Sequence, residues 1–438
     1  MTGTPNPRSF WLLTFAVLCG VGMWSYTDRV LIPHQVADAR LRDQPRGNLS
    51  DLYPRWIGAK DLLLYGRDPY SADVTREIQI GYYGRALDPS RKNDPTDEQG
   101  FAYPVYVVFG LAPAVRLSFA VVQRSFFWIL VLVTAVSSAL WLRVLRRSVS
   151  WSEQLILMVL TLGNVAVMQG LKLQQISLLV AALIAFAIML LVSDYAVAAG
   201  AILAVATIKP QLMVLLLGWL ALWALADWRR RYRLAVSFLA TMVILIAASE
   251  WYLPHWIERF WHAVIEYQRY TGAMSVLEKA VGRPWSWILE ILALAALAGA
   301  CWKERRAPAD SGAFASTFTF TSSLVLATTV LVIPTYAPYN QVLLVPALLL
   351  LVRDRRAIWQ RSMANRVLVV IVTGLCVWPS IASTALAGLS YVLPMTTVDT
   401  AWSVPLRMLT QIPVGVAALM LIHYYQMTFN KPARPGAS

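Results

Sequence analysis

The stretch QISLLVAALIAFAIMLLVS, residues 175–193, contains no charged side chain and is long enough to cross a bilayer as one helix. Similar apolar runs recur along the 438-residue chain, in which 58% of the residues are hydrophobic and only 14% are charged. A soluble domain has roughly 45–50% apolar and about 25% charged residues. Because the runs are continuous and do not alternate with polar residues, they predict transmembrane helices and not a strand barrel.

The basic residues explain the net charge of +14 without a nucleic-acid partner. They form short clusters between the apolar runs, which is the pattern of cytoplasmic loops in membrane proteins. We therefore expect membrane lipids, and no nucleic acid, among the partners of this chain. The clusters are Arg143–Arg147, Arg229–Arg233, Lys303–Arg306 and Arg353–Arg356.

With these clusters in the cytoplasm, the apolar runs predict about twelve transmembrane helices in one integral membrane domain, residues 1–438. The run 101–117 is short and interrupted by prolines, so we expect it to be re-entrant or to lie on the surface. The loop 28–100 then lies outside the cytoplasm, and its charged segment 92–98 predicts a solvated connection. The predicted helices lie near residues 9–27, 122–142, 152–168, 175–193, 195–208, 211–226, 234–251, 284–301, 314–333, 340–352, 366–390 and 404–428.

Asp51 opens a predicted helix in the outer loop, over residues 51–65, which Gly66 and Pro69 would end. An acid at this position can cap the helix and interact favourably with its dipole. It can also act as a general base that takes a proton from an attacking hydroxyl group. The spacing alone favours the capping role, and both roles stay open at this point.

Polar residues recur at the other outer junctions. Lys209 lies between two apolar runs, where its ammonium group could extend to the lipid headgroups or contact the phosphate of a lipid-linked substrate. Gln174 and Gln175 could bind neighbouring helices, or they could bind sugar hydroxyls or phosphate. Tyr339 and Asn340 are typical of a membrane interface, where tyrosine is enriched.

The sequence has no pattern for a metal, a nucleotide or a covalent nucleophile. The three cysteines are far apart, and no Gly-rich phosphate loop precedes a helix. His255 and His262 are seven residues apart, which is not the spacing of a helical metal pair. We therefore predict no cofactor and no metal, and we expect any sugar donor to be carried by a membrane lipid.

Several segments follow one another in a characteristic order. They are Asp51 with the helix that leads to Gly66 and Tyr70, then Phe101-Ala102-Tyr103-Pro104, Leu173–Leu179, Ala199-Gly200 with Ile208-Lys209-Pro210, and Pro338–Pro346. In this order the chain resembles the membrane glycosyltransferases of family 87, which use polyprenyl-phosphate mannose and have the GT-C fold. The chain departs from the family pattern where Val105 replaces a proline, where Gln174 replaces a glycine, and where Tyr339-Asn340 replaces a loop that carries histidine.

The resemblance implies transfer of a single sugar, mannose in the family, from a polyprenyl-phosphate donor to a lipid or glycan acceptor, with inversion. It implies Asp51 as the catalytic base, and Lys209, Gln174 and Gln175 at the donor phosphate. The site would face the outside of the inner (plasma) membrane. The substrate contacts that we expect from the resemblance are Tyr53, Arg55, Tyr103, Tyr339 and Asn340.

Two other functions fit a similar topology. A secondary transporter with about twelve spans would show inverted repeats and charged residues in the middle of the membrane. The sequence has no internal repeat, and charges are sparse within the predicted spans. A polymerase or ligase of lipid-linked glycans would differ in its product, because it transfers a preassembled glycan and not a single sugar.

Overall fold

The computed structural model of the chain is helical, with no β-strand among the residues that it describes. The described residues are 7–145, 150–272, 274–309 and 317–429. Arg146 and Arg147, which belong to the first basic cluster, lie outside them. The prediction of an all-α chain is confirmed for the described residues.

The α-helices are numbered in chain order. They are α1 Pro7–Tyr26, α2 Ile32–Leu41, α3 Leu52–Tyr65, α4 Ala72–Tyr83, α5 Val107–Leu111, α6 Phe119–Val144, α7 Trp151–Leu162, α8 Val165–Lys172, α9 Ile176–Val192, α10 Ala196–Ala206, α11 Val214–Ala226, α12 Trp228–Tyr252, α13 Trp256–Thr271, α14 Val276–Val281, α15 Trp285–Glu304, α16 Thr317–Val332, α17 Val345–Arg361, α18 Met363–Leu389, α19 Met395–Asp399 and α20 Gln411–Phe429.

Among the described residues, six helical segments are long and apolar enough to cross a membrane. The pair α7 and α8 passes the same test only together, because the chain bends by 61° between the two helices. The shorter apolar helices α9, α10, α11 and α16 have 10–17 residues each. These helices agree with a multi-pass membrane protein, and the number of about twelve spans stays a prediction. The six segments are Ser9–Leu41, Phe119–Val144, Trp228–Tyr252, Trp285–Glu304, Met363–Leu389 and Met395–Thr428.

The prediction of one continuous helix over residues 152–168 is wrong, because the chain breaks between α7 and α8. Asn164 caps α8, and its Oδ1 accepts a hydrogen bond from the amide of Ala166 at 2.9 Å. Gly163 packs so closely on α1 that an added Cβ would lie 2.6 Å from the Cα of Gly20. A side-chain cap and a close helix contact therefore interrupt a run that hydropathy alone predicts to be one span.

The first helical segment extends past the start of the predicted loop 28–100. A π-helical turn, Thr27–Leu31, joins α1 to α2, so the first helical segment continues to Leu41. Within the loop, α3 confirms the predicted helix, and Gly66 ends it in the left-handed conformation with a φ of 64°. The run 101–117 forms only the five-residue α5 and a short 3-10 turn, which are too short to cross a bilayer.

The predicted helix 340–352 is also wrong in its first half, which forms a 3-10 helix, Pro338–Leu344. Pro346 has no backbone N–H, so it cannot donate the α-helical hydrogen bond to the carbonyl of residue 342. The α-helix α17 therefore begins only at Val345. This irregular backbone places Tyr339 and Asn340 inside the protein instead of on a regular spanning helix.

Helix α10 packs unusually close to α12. An added Cβ on Gly200 would lie 2.5 Å from the carbonyl oxygen of Leu234, and the hydroxyl of Ser237 donates to the carbonyl of Val197 at 2.6 Å. After α10 the chain turns at residues 207–209 and continues as a 3-10 turn before α11. The contact with α12 thus fixes the position of the turn that carries Lys209.

Replacing Gly200 by alanine should lower the free energy of unfolding by about 1–3 kcal/mol, because the backbone oxygen of Leu234 cannot rotate away from a new methyl group. Thermal unfolding in detergent measures the change. Gly218→Ala is the matched control, since no atom lies within 4 Å of a Cβ at Gly218 in α11, and alanine favours a helix. Equal melting temperatures for the two variants would contradict the close packing of α10 on α12.

Candidate active site

The turn between α8 and α9 holds the start of α3. The amide of Asp51 donates to the carbonyl of Leu173 at 2.9 Å, which places Asp51 beside this turn. Asp51 occupies the N-cap position of α3, but its carboxylate accepts no capping hydrogen bond. The carboxylate accepts a hydrogen bond from the side-chain amide of Gln175 instead. The capping role that the sequence allowed is therefore wrong.

Gln175 connects the carboxylate of Asp51 to the ammonium group of Lys209. Its Nε2 donates to Asp51, and its Oε1 accepts from Nζ of Lys209 at 3.2 Å. Nζ of Lys209 also donates to the hydroxyl of Ser177 at 2.6 Å, and this hydroxyl donates to Oδ1 of Asn340 at 2.9 Å. These hydrogen bonds form one continuous polar network across four separate parts of the chain.

Lys209 is a buried cation with neutral partners. Lys209 is only 5% exposed. Its ammonium group therefore does not extend to the lipid headgroups, which was one of the two positions that the sequence left open. Its contacts include two neutral oxygens, a hydrogen bond with the hydroxyl of Tyr103, and the ring of Tyr339, whose centroid lies 4.9 Å from Nζ. No carboxylate lies at salt-bridge distance among the described residues. A buried charge of this kind is costly unless an anion or further hydrogen bonds compensate it.

A cavity of about 340 Å³ lies against this network. The sequence predicts nine site residues, and six of them line this cavity. Asp51 is not among the lining residues but contacts Gln175, which is. The six lining residues are Arg55, Tyr103, Gln175, Lys209, Tyr339 and Asn340.

Arg55 supplies a second cation to the cavity. It lies one helical turn after Asp51 on α3, and its guanidinium carbon is 4.3 Å from the centroid of the Tyr103 ring. The hydroxyl of Tyr70 donates to the carbonyl of Tyr103 at 2.5 Å and holds that residue in place. With Lys209, Arg55 makes the cavity suitable for an anionic group such as a phosphate.

Burial raises the pKa of the Asp51 carboxyl above its ordinary value. Arg55 and Lys209 act in the opposite direction, and the nearby Asp97 adds to the rise. A carboxylate with a raised pKa is more basic than a solvated one, so it takes up a proton more readily near neutral pH. This is the property that a general base requires.

Gln174 lies outside the cavity, unlike its neighbour. Its backbone is left-handed, with a φ of 48°, and its Nε2 donates to the carbonyls of Leu171 and Lys172 at 3.0 and 2.9 Å. These carbonyls lie at the end of α8, where they have no α-helical partner, and the side chain of Gln174 donates to both. A left-handed backbone is easiest for glycine, which explains why the family pattern has glycine at this position.

Tyr53 also lies outside the cavity and packs in the outer loop. Its ring meets that of Phe119 edge to face with centroids 4.8 Å apart. Its hydroxyl lies over Gly81, where an added Cβ would clash with it. Tyr53 is on a different side of α3 from Arg55, so Arg55 lines the cavity and Tyr53 does not.

The sequence did not single out two parts of this site. Ser177 links Lys209 to Asn340. In the sequence it could have been noticed as a hydroxyl residue two positions after Gln175, at the start of an otherwise apolar run. Helix α13 supplies Phe260, Trp261 and Tyr267 to the cavity wall. In the sequence this helix could have been noticed because aromatic residues recur at helical spacing in the segment after α12.

The fold and the cavity together define a multi-pass helical membrane protein in which two cations and a carboxylate lie side by side. The family model for glycosyltransferase family 87 matches residues 101–334, more than half of the chain. The chain therefore belongs to glycosyltransferase family 87, which confirms the suspected family and identifies a glycosyltransferase. No curated protein and no solved structure matched the chain. A secondary transporter, the alternative left open by the sequence, does not agree with this family.

The family model covers only some of the residues of the candidate site. Tyr103, Gln175 and Lys209 lie within the matched residues, whereas Asp51 and the Tyr339–Asn340 pair lie outside them. The hydrogen bonds through Gln175 and Ser177 nevertheless join both groups into one network. The three-dimensional arrangement therefore extends the candidate site beyond the part of the chain that the family model covers.

The two adjacent glutamines provide a direct test of this network. Gln175→Leu should lower glycosyl transfer by about 10- to 100-fold, because Asp51 and Lys209 each lose a buried partner. Gln174→Gly should retain transfer within about a factor of three, since the left-handed turn suits glycine and the side chain is outside the cavity. Initial rates of glycosyl transfer, measured on membranes that contain equal amounts of each variant, test both expectations. An equal loss of transfer in the two variants would contradict the different roles of Gln174 and Gln175.

Proposed function

We propose that this glycosyltransferase moves a single sugar from a polyprenyl-phosphate donor to a hydroxyl group of a lipid or glycan acceptor, with inversion at the anomeric carbon. The resemblance names mannose as the sugar. The proposal rests on the buried ammonium group of Lys209, which has neutral partners and lies one glutamine away from the carboxylate of Asp51. Such a cation suits a phosphate, and the carboxylate suits proton transfer.

The donor phosphate would bind Lys209 and Arg55. When the bond between sugar and phosphate breaks, negative charge grows on the departing phosphate, and the two fixed cations of the cavity stabilise it. Val214 and Trp261 line the same cavity and are each 63% exposed at the protein surface. The apolar polyprenyl chain can therefore leave the cavity between α11 and α13 and enter the bilayer.

Asp51 would act as the base. Its carboxylate takes the proton of the acceptor hydroxyl while the hydroxyl oxygen attacks the anomeric carbon on the face opposite the phosphate. The new glycosidic bond forms as the bond to the phosphate oxygen breaks, and the electron pair leaves with the polyprenyl phosphate. One displacement inverts the anomeric carbon, and the proton ends on Asp51. Gln175 orients the carboxylate through its hydrogen bond.

The basic clusters support a site outside the cytoplasm. Arg231 donates hydrogen bonds to the carbonyls of Arg305 and Arg306, so two clusters meet. Arg231 also donates to the carbonyl of Trp223, near the end of α11, whereas Val214 at the start of α11 lines the cavity. With the basic residues in the cytoplasm, the cavity opens on the outer side of the inner (plasma) membrane.

Asp51→Asn should reduce transfer by about 10²- to 10⁴-fold, because asparagine cannot take up the proton. The amide oxygen of asparagine can still accept the hydrogen bond from Gln175, so folding and membrane insertion should be unchanged. The assay follows labelled sugar from a polyprenyl-phosphate donor into lipid products, and single-sugar products separate this function from a glycan polymerase or ligase. Asp73→Asn, an exposed acid on α4, is the control and should retain activity. Full activity in Asp51→Asn would remove Asp51 from the mechanism.

A further inference from the structure

A second cavity, of about 380 Å³, lies on the other side of α13. Helix α13 separates the two cavities, because Val264 and Tyr267 line the first and Glu266, on another face of the helix, lines the second. Tyr270, one turn after Tyr267, also lines the second. The two rings are in edge contact with centroids 5.4 Å apart. Ala102 lines both cavities, so they adjoin at its small side chain.

The frame of the second cavity is fixed. Asp68, in the turn between α3 and α4, forms a salt bridge of 2.5 Å with Arg259 on α13. Tyr70 and Phe101 form another wall, with their rings in edge contact at 5.2 Å. Tyr70 also holds Tyr103, which lines the first cavity. The wall that closes the second cavity therefore supports the first one.

The two cavities have opposite charge. Arg55 and Lys209 line the first cavity. In the second, Asp68 neutralises Arg259, and two exposed acids, Glu98 and Glu266, have no salt bridge among the described residues. The exposed ring of His262 also lines this cavity. Burial and the charge of Glu266 raise the pKa of the Glu98 carboxyl, which agrees with two acids that face one space.

Glu98 belongs to the segment 92–98, which the sequence predicts to be a solvated connection. Most residues of this segment are exposed, Glu98 among them, which agrees with the prediction, and Glu98 also lines the cavity. Tyr83 donates a hydrogen bond to the carbonyl of Asp97 at 2.8 Å, and Gln79 donates to the carbonyl of Glu98 at 3.2 Å. These bonds from α4 hold the segment against the cavity.

The chemistry of this lining suits a sugar and disfavours a phosphate. Carboxylates accept strong hydrogen bonds from hydroxyl groups, and the ring of Tyr270 offers flat apolar surface to the C–H groups of a pyranose. Two carboxylates without a cation partner repel an anionic group. The charges therefore favour the donor phosphate in the cationic cavity on one side of α13 and an uncharged ligand in the acidic cavity on the other side.

We propose that the second cavity binds an uncharged sugar residue of the acceptor, whose hydroxyl groups donate hydrogen bonds to Glu98 and Glu266. This inference rests on the proposed function, because it assigns the acceptor of the same reaction. It makes the acceptor a glycan with a neutral sugar near the reacting hydroxyl. A phosphorylated sugar at that position is excluded by its charge.

Binding without the donor tests this inference separately from transfer. Saturation-transfer NMR on the protein in nanodiscs would compare neutral methyl hexopyranosides with the same sugars phosphorylated at O6. We expect saturation transfer to at least one neutral glycoside and none to its phosphate. Preference for the phosphorylated sugars, or no binding of any neutral glycoside, would overturn the proposal.

Two matched substitutions on α13 test where the neutral glycoside binds. Glu266→Gln should weaken binding of the neutral glycoside about tenfold, because it loses a charged acceptor. Glu258→Gln is the same change on the same helix at an exposed position outside both cavities, and it should bind like the wild type. Glu98→Gln is a second variant should Glu266→Gln fail to fold. Equal affinity in the wild type and in the folded variants would contradict the assignment.

The two proposals can fail separately. If the protein does not use a polyprenyl-phosphate donor, the Asp51 assay gives no transfer in the wild type, while glycoside binding and its loss in Glu266→Gln are unaffected. If the acceptor assignment is wrong, transfer still depends on Asp51, but Glu266→Gln changes neither glycoside binding nor the acceptor KM. The donor KM is the internal reference, since Glu266 does not line the donor cavity.

Discussion

The rest of this site depends on the buried ammonium group of Lys209, which has no carboxylate at salt-bridge distance in the described part of the chain. Removing a lysine ammonium from water costs several kcal/mol, and the attraction of a direct ion pair normally offsets much of this cost. Here the compensation comes from hydrogen bonds with Ser177, Gln175 and Tyr103, from the ring of Tyr339, and from the more distant carboxylate of Asp51. Neutral partners leave the positive charge available, and a phosphate is the ligand that such a charge is suited to bind.

The helical framework is built to hold this charge in place. The close contact of Gly200 with α12 positions the end of α10, and the hydroxyl of Tyr106 donates to the carbonyl of Thr207 at 3.0 Å in the turn before Lys209. Asn340 approaches from the 3-10 helix that precedes α17. Irregular backbone inside a membrane protein is tolerated where it is buried in protein or lines a cavity. The turn at Lys209 and the 3-10 helix at Asn340 both fulfil this condition.

Much of this arrangement could be predicted from local sequence, and the rest depends on contacts between distant residues. Hydropathy located the apolar helices, and Gly66 marked the end of α3, because both signals act within one or two helical turns. The break at Asn164 escaped prediction since it depends on the contact between Gly20 and Gly163. Gln174 and Gln175 have the same side chain and adjacent positions, so only the left-handed turn between α8 and α9 distinguishes them. Helix α13 and Glu98 line cavities because of long-range packing that no local pattern contains.

Equilibrium binding of polyprenyl phosphate, the leaving group of the proposed reaction, tests the role of Lys209 most directly. The comparison is between the wild type and Lys209→Met in nanodiscs, because methionine retains the length of the side chain and removes its charge. Replacing a buried charge by an apolar group need not destabilise a protein, so both proteins should unfold at similar temperatures. Polyprenyl phosphate should bind at least about tenfold more weakly to Lys209→Met than to the wild type. Equal affinity of the two folded proteins would contradict the role of Lys209 as the phosphate-binding cation.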